Sequence, residues 1–239
     1  MATKAHPWSQ DEREAALRRC PLFACWPEVR IAELAAIARA EFYPRGTEIF
    51  AHDPERREAF VIASGEVEVS RGSAEGKKFV LGINGAPQIL AIVRLLTDPP
   101  IRYDYRAYEE SVLLHLPADG LAAILDAEPM LWRDVALLMC ARHGDSLRLL
   151  GDHNLGSLDQ RMAATLVDLA RIHGTAGGPG IELGLRLPQE QLGAMLGVTR
   201  QSVNKLLRGF EAAGLIAIYY NRITIRDPAA LDAIAEGGD

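Results

Sequence analysis

LPQEQLGAMLGVTRQSVNKLLRGFEAAGLI, residues 187–216, is the stretch on which the fold turns. Leu192 and Leu196 recur at helical spacing and face inward from a first helix, and Gly193 between them leaves room for a second helix to cross closely. Gly197 follows where a sharp turn needs a left-handed backbone, a conformation open to glycine at little steric cost. Val198 packs beneath that turn, and Thr199 is a good N-cap whose hydroxyl accepts an orphan N–H of the next helix. Val203, Leu206 and Leu207 then hold the second helix against the first. Any one of these features occurs in a plain helical hairpin; the full set over Gln189–Arg208 predicts a helix-turn-helix.

With the apolar side turned inward, the second helix offers Arg200, Gln201, Ser202, Asn204, Lys205 and Arg208 to solvent. These side chains suit double-stranded DNA. The first residues of such a helix point at base edges in the major groove, where arginine or lysine donates to guanine O6 and N7 and glutamine or asparagine pairs with adenine N6 and N7. Ser202 is placed for a phosphate or for support of the cap. Charge points the same way: residues 186–226 hold six basic side chains (Arg186, Arg200, Lys205, Arg208, Arg222, Arg226) against Glu190 and Glu211, a local +4 in a chain of net charge −6. Downstream, LIAIYYNRITIRD alternates as two short strands about a tight turn at Tyr219-Tyr220-Asn221-Arg222, a wing whose tip brings Arg222 within reach of a phosphate.

Upstream of this motif the pattern predicts a helix from Leu158 to Ile172, with Met162, Leu166 and Leu169 on one face, then HGTAGGPG as a flexible loop. Residues 42–116 read instead as short β-branched or alternating runs (TEIF, AFVIASGEVEVS, KKFVLGI, QILAIV, SVLLHL) between Gly, Pro and Asp, the signature of a small β-barrel or sandwich. RIAELAAIARAEF ahead of it sets Ile31, Leu34, Ile37 and Ala38 on one helical face. After Pro117, DGLAAILDAEP is helical, and a longer helix from Pro129 to Leu150 carries Leu131, Val135 and Leu138 at the spacing of a paired seam. Arg142 and Asp145 interrupt that heptad, so packing of the stripe on the barrel remains the other reading. GDHNLGS has the turn residues of a hinge, which sets a boundary near Asp152. Three parts follow: residues 1–127 as an effector-binding-like β-barrel domain with N-terminal helices, 128–151 as a dimerisation helix, and 152–239 as a winged helix-turn-helix domain.

The 239 residues are 49% hydrophobic and 24% charged, the balance of a globular chain with real cores. No apolar run approaches the roughly 20 residues of a membrane span, and the N-terminus has no apolar secretion signal, which reads as cytoplasmic. Cys20, Cys25 and Cys140 make an odd number without CxxC spacing, so neither a disulfide framework nor a four-cysteine metal site is expected. An enzyme finds little support, since there is no P-loop, no GxSxG, no HExxH and no GxGxxG after a strand. His6, His52, His115, His143, His153 and His173 are scattered and read mostly as surface histidines.

At these residues the chain resembles bacterial regulators of the cyclic-AMP receptor protein and FNR type, over about Leu17 to Glu236. CPLFACWPEVRIAELAAIA is similar to the family's opening helices and AFVIASGEVEV to its barrel hairpin, with the turn glycine at Gly65. Residues 187–216 are similar to its recognition motif and ITIRDPAALDAIA to its wing strand and last helix. The resemblance implies an α+β chain: a cyclic-nucleotide-binding-like barrel of jelly-roll type, a long central dimerisation helix, and a C-terminal winged helix. It also implies a homodimer on an inverted-repeat site, gating by a small-molecule effector in the barrel, and RNA polymerase as a partner. The base-reading trio it implies is Arg200, Gln201 and Lys205. Here Gln201 stands where the commonest pattern has glutamate, and Lys205 where it has arginine, so a different half-site is expected.

The resemblance also says where an effector would sit. Members that bind the nucleotide share a segment of the form GDILGEVALL followed by PRSATVRA, whereas this chain reads PQILAIVRLLTDPPIRYDYRA. On that pattern Pro87 and Ala91 replace glycines, Ile92 the glutamate, Ile101 the arginine and Arg102 the serine. The expected pocket (Ala91, Ile92, Ile101, Arg102, Tyr103, Tyr105) is apolar and unsuited to cyclic AMP held in the usual way. A one-residue slip returns Arg102 to the phosphate, which keeps a cyclic-nucleotide-responsive regulator with a shifted arginine as the alternative. Cys20 and Cys25 supply only two of the four thiolates of an iron–sulfur cluster, while haem ligation and thiol redox have no motif, so the cofactor stays unknown.

Overall fold

The computed structural model describes residues 4–5, 7–50, 56–72, 78–97, 103–177, 180–219 and 222–237. The chain divides into two compact units, one of residues 1–71 and 82–143, the other of residues 72–81 and 144–239.

In chain order the first part runs β1 (Lys4–Ala5), α1 (Gln10–Arg19), α2 (Glu28–Ile37), β2 (Arg39–Tyr43), β3 (Glu48–Ile49), β4 (Glu58–Ser64), β5 (Glu66–Gly72), β6 (Lys78–Gly85), β7 (Gln88–Leu90), a 3-10 turn (Ile92–Leu95), β8 (Asp104–Ala107), β9 (Ser111–Pro117) and α3 (Ala118–Ala127). Two antiparallel sheets result, in the orders β1-β2-β9-β4-β7 and β3-β8-β5-β6. Alternation along β4 explains its unbroken apolar run. Phe60 and Ile62 point between the sheets, where they meet Tyr43, Ile49, Val67, Leu90, Tyr105 and Leu113. Ala59, Val61 and Ala63 point the other way, into a core shared with α1, α2 and α3. A strand covered on both faces has no polar side to show.

Between β4 and β5 the chain reverses at Gly65, whose φ is +81°. A Cβ there would lie 2.3 Å from the Glu110 carbonyl oxygen. Ser111, fully buried, accepts the Glu66 N–H at 3.0 Å and fixes the hairpin on β9.

His115 differs from expectation. Far from being a surface histidine, it is 0% exposed on β9 and points between the sheets. Its Nδ1 lies 3.1 Å from Glu58 Oε2 and its Nε2 3.0 Å from the Tyr43 hydroxyl, which donates to Glu41 at 2.8 Å. Arg39 and Arg56 each reach Glu58 at 2.7 Å. Burial pushes the Tyr43 hydroxyl far above its ordinary range. Three neighbouring strands are thus tied by one polar set, which low polarity strengthens as long as its members stay paired.

The later elements are α4 (Leu131–Leu155), whose residues up to 143 belong to the first unit, then α5 (Leu158–His173), β10 (Gly174–Gly177), β11 (Gly180–Leu183), α6 (Gln189–Leu196), α7 (Arg200–Ala212), β12 (Ile216–Tyr219), β13 (Arg222–Ile225) and α8 (Pro228–Ala235). Two expectations are corrected. GDHNLGS is no hinge loop through residues 151–155: α4 continues to Leu155 and α5 starts only after the Ser157 cap, which accepts the Gln160 N–H at 3.2 Å. Gly144 and Gly151 each cost only about 1 kcal/mol in the helix, too little to stop its 25 residues. HGTAGGPG, expected as a loop, contributes β10 and part of β11 to a sheet of order β10-β11-β13-β12. Its glycines hide the alternation that marks a strand.

Of the two readings of the stripe at Leu131, Val135 and Leu138, the single chain shows packing on its own core. Leu131 and Val135 are 6% and 2% exposed, packed with the half-buried Leu138 into the helix-covered core of the first unit. The exposed apolar side chains of α4 are Leu137, Leu147 and Leu150, with Met130 just before it.

Gly65→Ala is expected to destabilise the chain by at least about 2 kcal/mol, from left-handed strain plus the clash. Gly82→Ala, where the nearest atom is 3.9 Å away, leaves stability within about 0.5 kcal/mol. Urea midpoints of the two variants check this.

Candidate nucleic-acid interface

The turn between α6 and α7 adopts the geometry its sequence requires. Gly197 has φ +68° and ψ +31° and ends α6, and the Val198 N–H donates to the Gly193 carbonyl at 3.0 Å. Thr199 caps α7, its hydroxyl accepting the Ser202 N–H at 3.2 Å. Gly193 is needed for a close approach, since a Cβ there would meet the Val198 carbonyl oxygen at 2.8 Å. The neighbour is the turn backbone rather than the second helix. Leu192, Leu196, Val203, Leu207 and Phe210 are buried, while Leu206 and Val198 are half-buried.

This packing decides what α7 shows to solvent. Arg200, Gln201, Lys205 and Arg208 are exposed, and Ser202 and Asn204 are half-buried. Arg200, Asn204 and Arg208 follow one another at i, i+4, i+8, with Gln201 and Lys205 beside them, so the polar row covers one side of the helix. Thr199 and Ser202, with hydroxyls 3.1 Å apart, belong to the cap at its start.

Two interactions that the sequence did not reveal brace this element. Arg161 on α5 donates to the Leu196 carbonyl, one of the orphan acceptors at the end of α6. Glu211 accepts the Ile218 N–H at 3.1 Å and ties the end of α7 to β12. In the wing, Tyr219 pairs with Arg222 across the turn, and the expected turn residues Tyr220 and Asn221 lie outside the described residues. Arg222 donates to Glu182 at 3.0 Å, so a phosphate there competes with a half-exposed carboxylate.

The expected effector pocket is brought together in part. Ala91 and Tyr105 line the core between the sheets and Tyr103 packs at its margin; Ile101 and Arg102 lie outside the described residues. Ile92 is corrected: it is 1% exposed and belongs to the core beneath the helices, not to the one between the sheets. Ala91 has φ +59°, the conformation for which the glycine of the family pattern is suited. Burial pushes the Tyr105 hydroxyl up to about 12.

Phe50 and the fully buried Arg94 join this core, both missed in the sequence, where Arg94 is hidden inside the apolar run AIVRLL. Arg94 Nε donates to the Arg56 carbonyl at 3.0 Å, and its guanidinium carbon sits 4.6 Å from the centre of the Phe50 ring. Arg142 of α4, read as an interruption of the heptad, donates to the Ile89 carbonyl, and burial lowers its pKa.

Cys20 is buried and its thiol raised by that burial, whereas Cys25 and Cys140 are exposed. Among the described residues no group of three or more His, Cys, Asp or Glu side chains is placed to hold a metal ion, and no helix is long and apolar enough to cross a membrane.

Comparison with known proteins finds two families in succession along the chain. The family described as the cyclic nucleotide-binding domain matches residues 40–128, and the Crp-like helix-turn-helix domain matches residues 160–234. A CRP-like cAMP-activated global transcriptional regulator of Mycobacterium tuberculosis is 24% identical over 215 residues, covering 90% of this chain and 96% of its own. A CooA mutant from Carboxydothermus hydrogenoformans superposes with TM-score 0.71 at 21% identity, over 97% of this chain and 98% of that one. The c-di-GMP responsive global regulator CLP of Xanthomonas campestris gives TM-score 0.71 at 18% identity, over 83% and 99%.

Gly193→Ala is expected to lower the melting temperature and weaken DNA binding, because the turn backbone must move away from the new methyl. Gly209→Ala, with nothing within 4 Å, is expected to raise helix stability by about 0.5–1 kcal/mol. Thermal melts and gel shifts of both variants separate the two effects.

Proposed function

Because the chain belongs to the CRP/FNR family of DNA-binding transcription regulators, we propose that it acts in the cytoplasm as a homodimer on an inverted-repeat operator, gated through its N-terminal barrel. The observation that carries the DNA reading is the polar row of α7, held outward by a buried apolar side and a capped first turn. Arg200 and Lys205 donate to guanine edges and Gln201 pairs with adenine, while Thr199, Ser202, Asn204, Arg208 and Arg222 position the helix on sugar and phosphate. RNA polymerase is the partner that the family likeness suggests.

A two-fold dimer presents two copies of α7 to half-sites about 34 Å apart, one helical turn of DNA. Leu131 and Val135 are engaged within the protomer, so the pairing face proposed is the exposed row of α4. Leu137, Cys140, Gly144 and Leu147 follow at steps of three and four, all exposed. Leu137→Asp with Leu147→Asp is expected to give a folded monomer in sedimentation, with operator binding reduced at least about tenfold.

The effector proposed is not cyclic AMP bound in the usual way. Two observations support this: Ile92, at the glutamate position of the family pattern, is sunk beneath the helices, and aromatic side chains fill the space between the sheets. Calorimetric titration with cyclic AMP is expected to be silent; micromolar binding overturns this part and favours the shifted-arginine alternative at Arg102.

Alanine at Arg200 or Lys205 is expected to weaken the specific complex by about 1–3 kcal/mol and relax discrimination at one base pair, whereas alanine at a phosphate contact weakens all sequences alike and lowers the salt slope by about one. Gel shifts across a salt series on a selected operator measure both. Undiminished binding by both variants would falsify the assignment.

A further inference from the structure

Among the described residues only Phe50 and Ala91 adopt positive φ without being glycine, at +66° and +59°. They lie far apart in sequence, yet both belong to the single core between the sheets. Bulky side chains hold such a conformation only where their surroundings over-determine it, and strain of this kind gathers at ligand sites.

The Phe50 ring is engaged on several sides. Phe60, Tyr105 and His115 meet it at centroid distances of 5.8, 5.9 and 6.0 Å, all near edge-to-face. Arg94, 1% exposed, lies over the ring at 4.6 Å. A cation out of water needs compensation, and an aromatic face supplies part of it. The place is also defined by the backbone. Phe50 follows β3, which pairs Ile49 with Tyr105, while Arg94 stands on the 3-10 turn that begins after Ala91. Residues expected to line an effector pocket (Ala91, Tyr103, Tyr105) and the Phe50 ring therefore share one cluster. Phe50 is only partly buried, so the ring stands at the margin of that cluster rather than at its centre.

We propose that Phe50 is a built-in occupant of the effector pocket, a tethered aromatic ring seated on Arg94, and that the site it fills takes a flat aromatic ring. The inference rests on the reading of this chain as a barrel-gated regulator and says how its gate is set: the DNA-binding arrangement is reached with the chain's own ring in place and without a diffusible ligand. A free ring of this class competes with Phe50 for the same seat.

The test uses the full chain with indole as the probe. Phe50→Gly removes the ring and the backbone strain together, leaving a ring-sized space. Its operator affinity is expected to fall about tenfold. Millimolar indole is expected to raise its melting temperature saturably and to restore most of that affinity, with no such shift in the parent. A folded Phe50→Gly chain with parental operator affinity, or with no indole-dependent shift, overturns the proposal, as does an equal shift in the parent. If Phe50→Gly does not fold, Phe50→Leu decides, because it keeps apolar bulk but has no ring face for Arg94. Weakened operator binding by folded Phe50→Leu supports the proposal, and parental affinity overturns it. Should the parent bind no operator, the dimeric DNA-binding reading fails, and the indole shift still judges the occupant by itself.

Discussion

Burial of β4 and β9 on both faces is the constraint on which the first unit depends. Side chains alternate across a strand, so slipping either strand by one residue would send Phe60, Leu113 and His115 under the helices and bring Val61 and Leu114 between the sheets. His115 makes that slip especially costly. Its partners Glu58 and Tyr43 stand on the two neighbouring strands, and a charged or polar group moved away from them into an apolar core is left unsatisfied. Once this register is fixed, the β3–β8 pairing and the 3-10 turn bring Phe50 and Arg94 together between the sheets. On the opposite face the same register offers the surface on which Leu131 and Val135 anchor the start of α4.

The second unit solves a different problem, namely how a chain of net charge −6 presents a surface attractive to phosphate. Geometry concentrates what composition lacks. Capping by Thr199 and the left-handed Gly197 fix the direction of α7, and its buried residues fix its rotation, so Arg200, Lys205 and Arg208 leave on one side. Glu211, an acidic side chain in the same stretch, is turned to the Ile218 N–H of the wing. On the proposed function, basic charge that is local rather than general keeps non-specific binding weak and leaves base contacts to decide the site.

The helix-turn-helix was legible because each step of it leaves a distinct chemical mark: glycine for positive φ, threonine for a cap, leucines at helical spacing. The strands β4, β5 and β9 and the last helix were legible for the same reason. What stayed hidden was set by partners distant in sequence. Leu131 and Val135 carry the same spacing whether they meet another protomer or the protomer's own core, and only the fold distinguishes the two. His115 and Arg94 look like exposed polar residues until their counterparts at Glu58, Tyr43 and Phe50 are placed. The β10–β11 hairpin was missed because small residues at 174–180 show no period, its position being set by pairing of Ile181 and Glu182 with β13.

A ring supplied by the chain and a ring supplied by solution compete on unequal terms. The tethered ring is ordered when the protein folds, so its seating carries no loss of translational and rotational freedom, a loss estimated at about 4–15 kcal/mol for a free partner. A free ligand must therefore bring contacts that Phe50 lacks, and the surroundings indicate which ones. Phe50 presents only a hydrocarbon face to Arg94, so on the proposal above a displacing ring must make the stronger contact with that guanidinium. On that proposal, selectivity between the two sheets follows from contact with the guanidinium, and less from how well the ring itself fits.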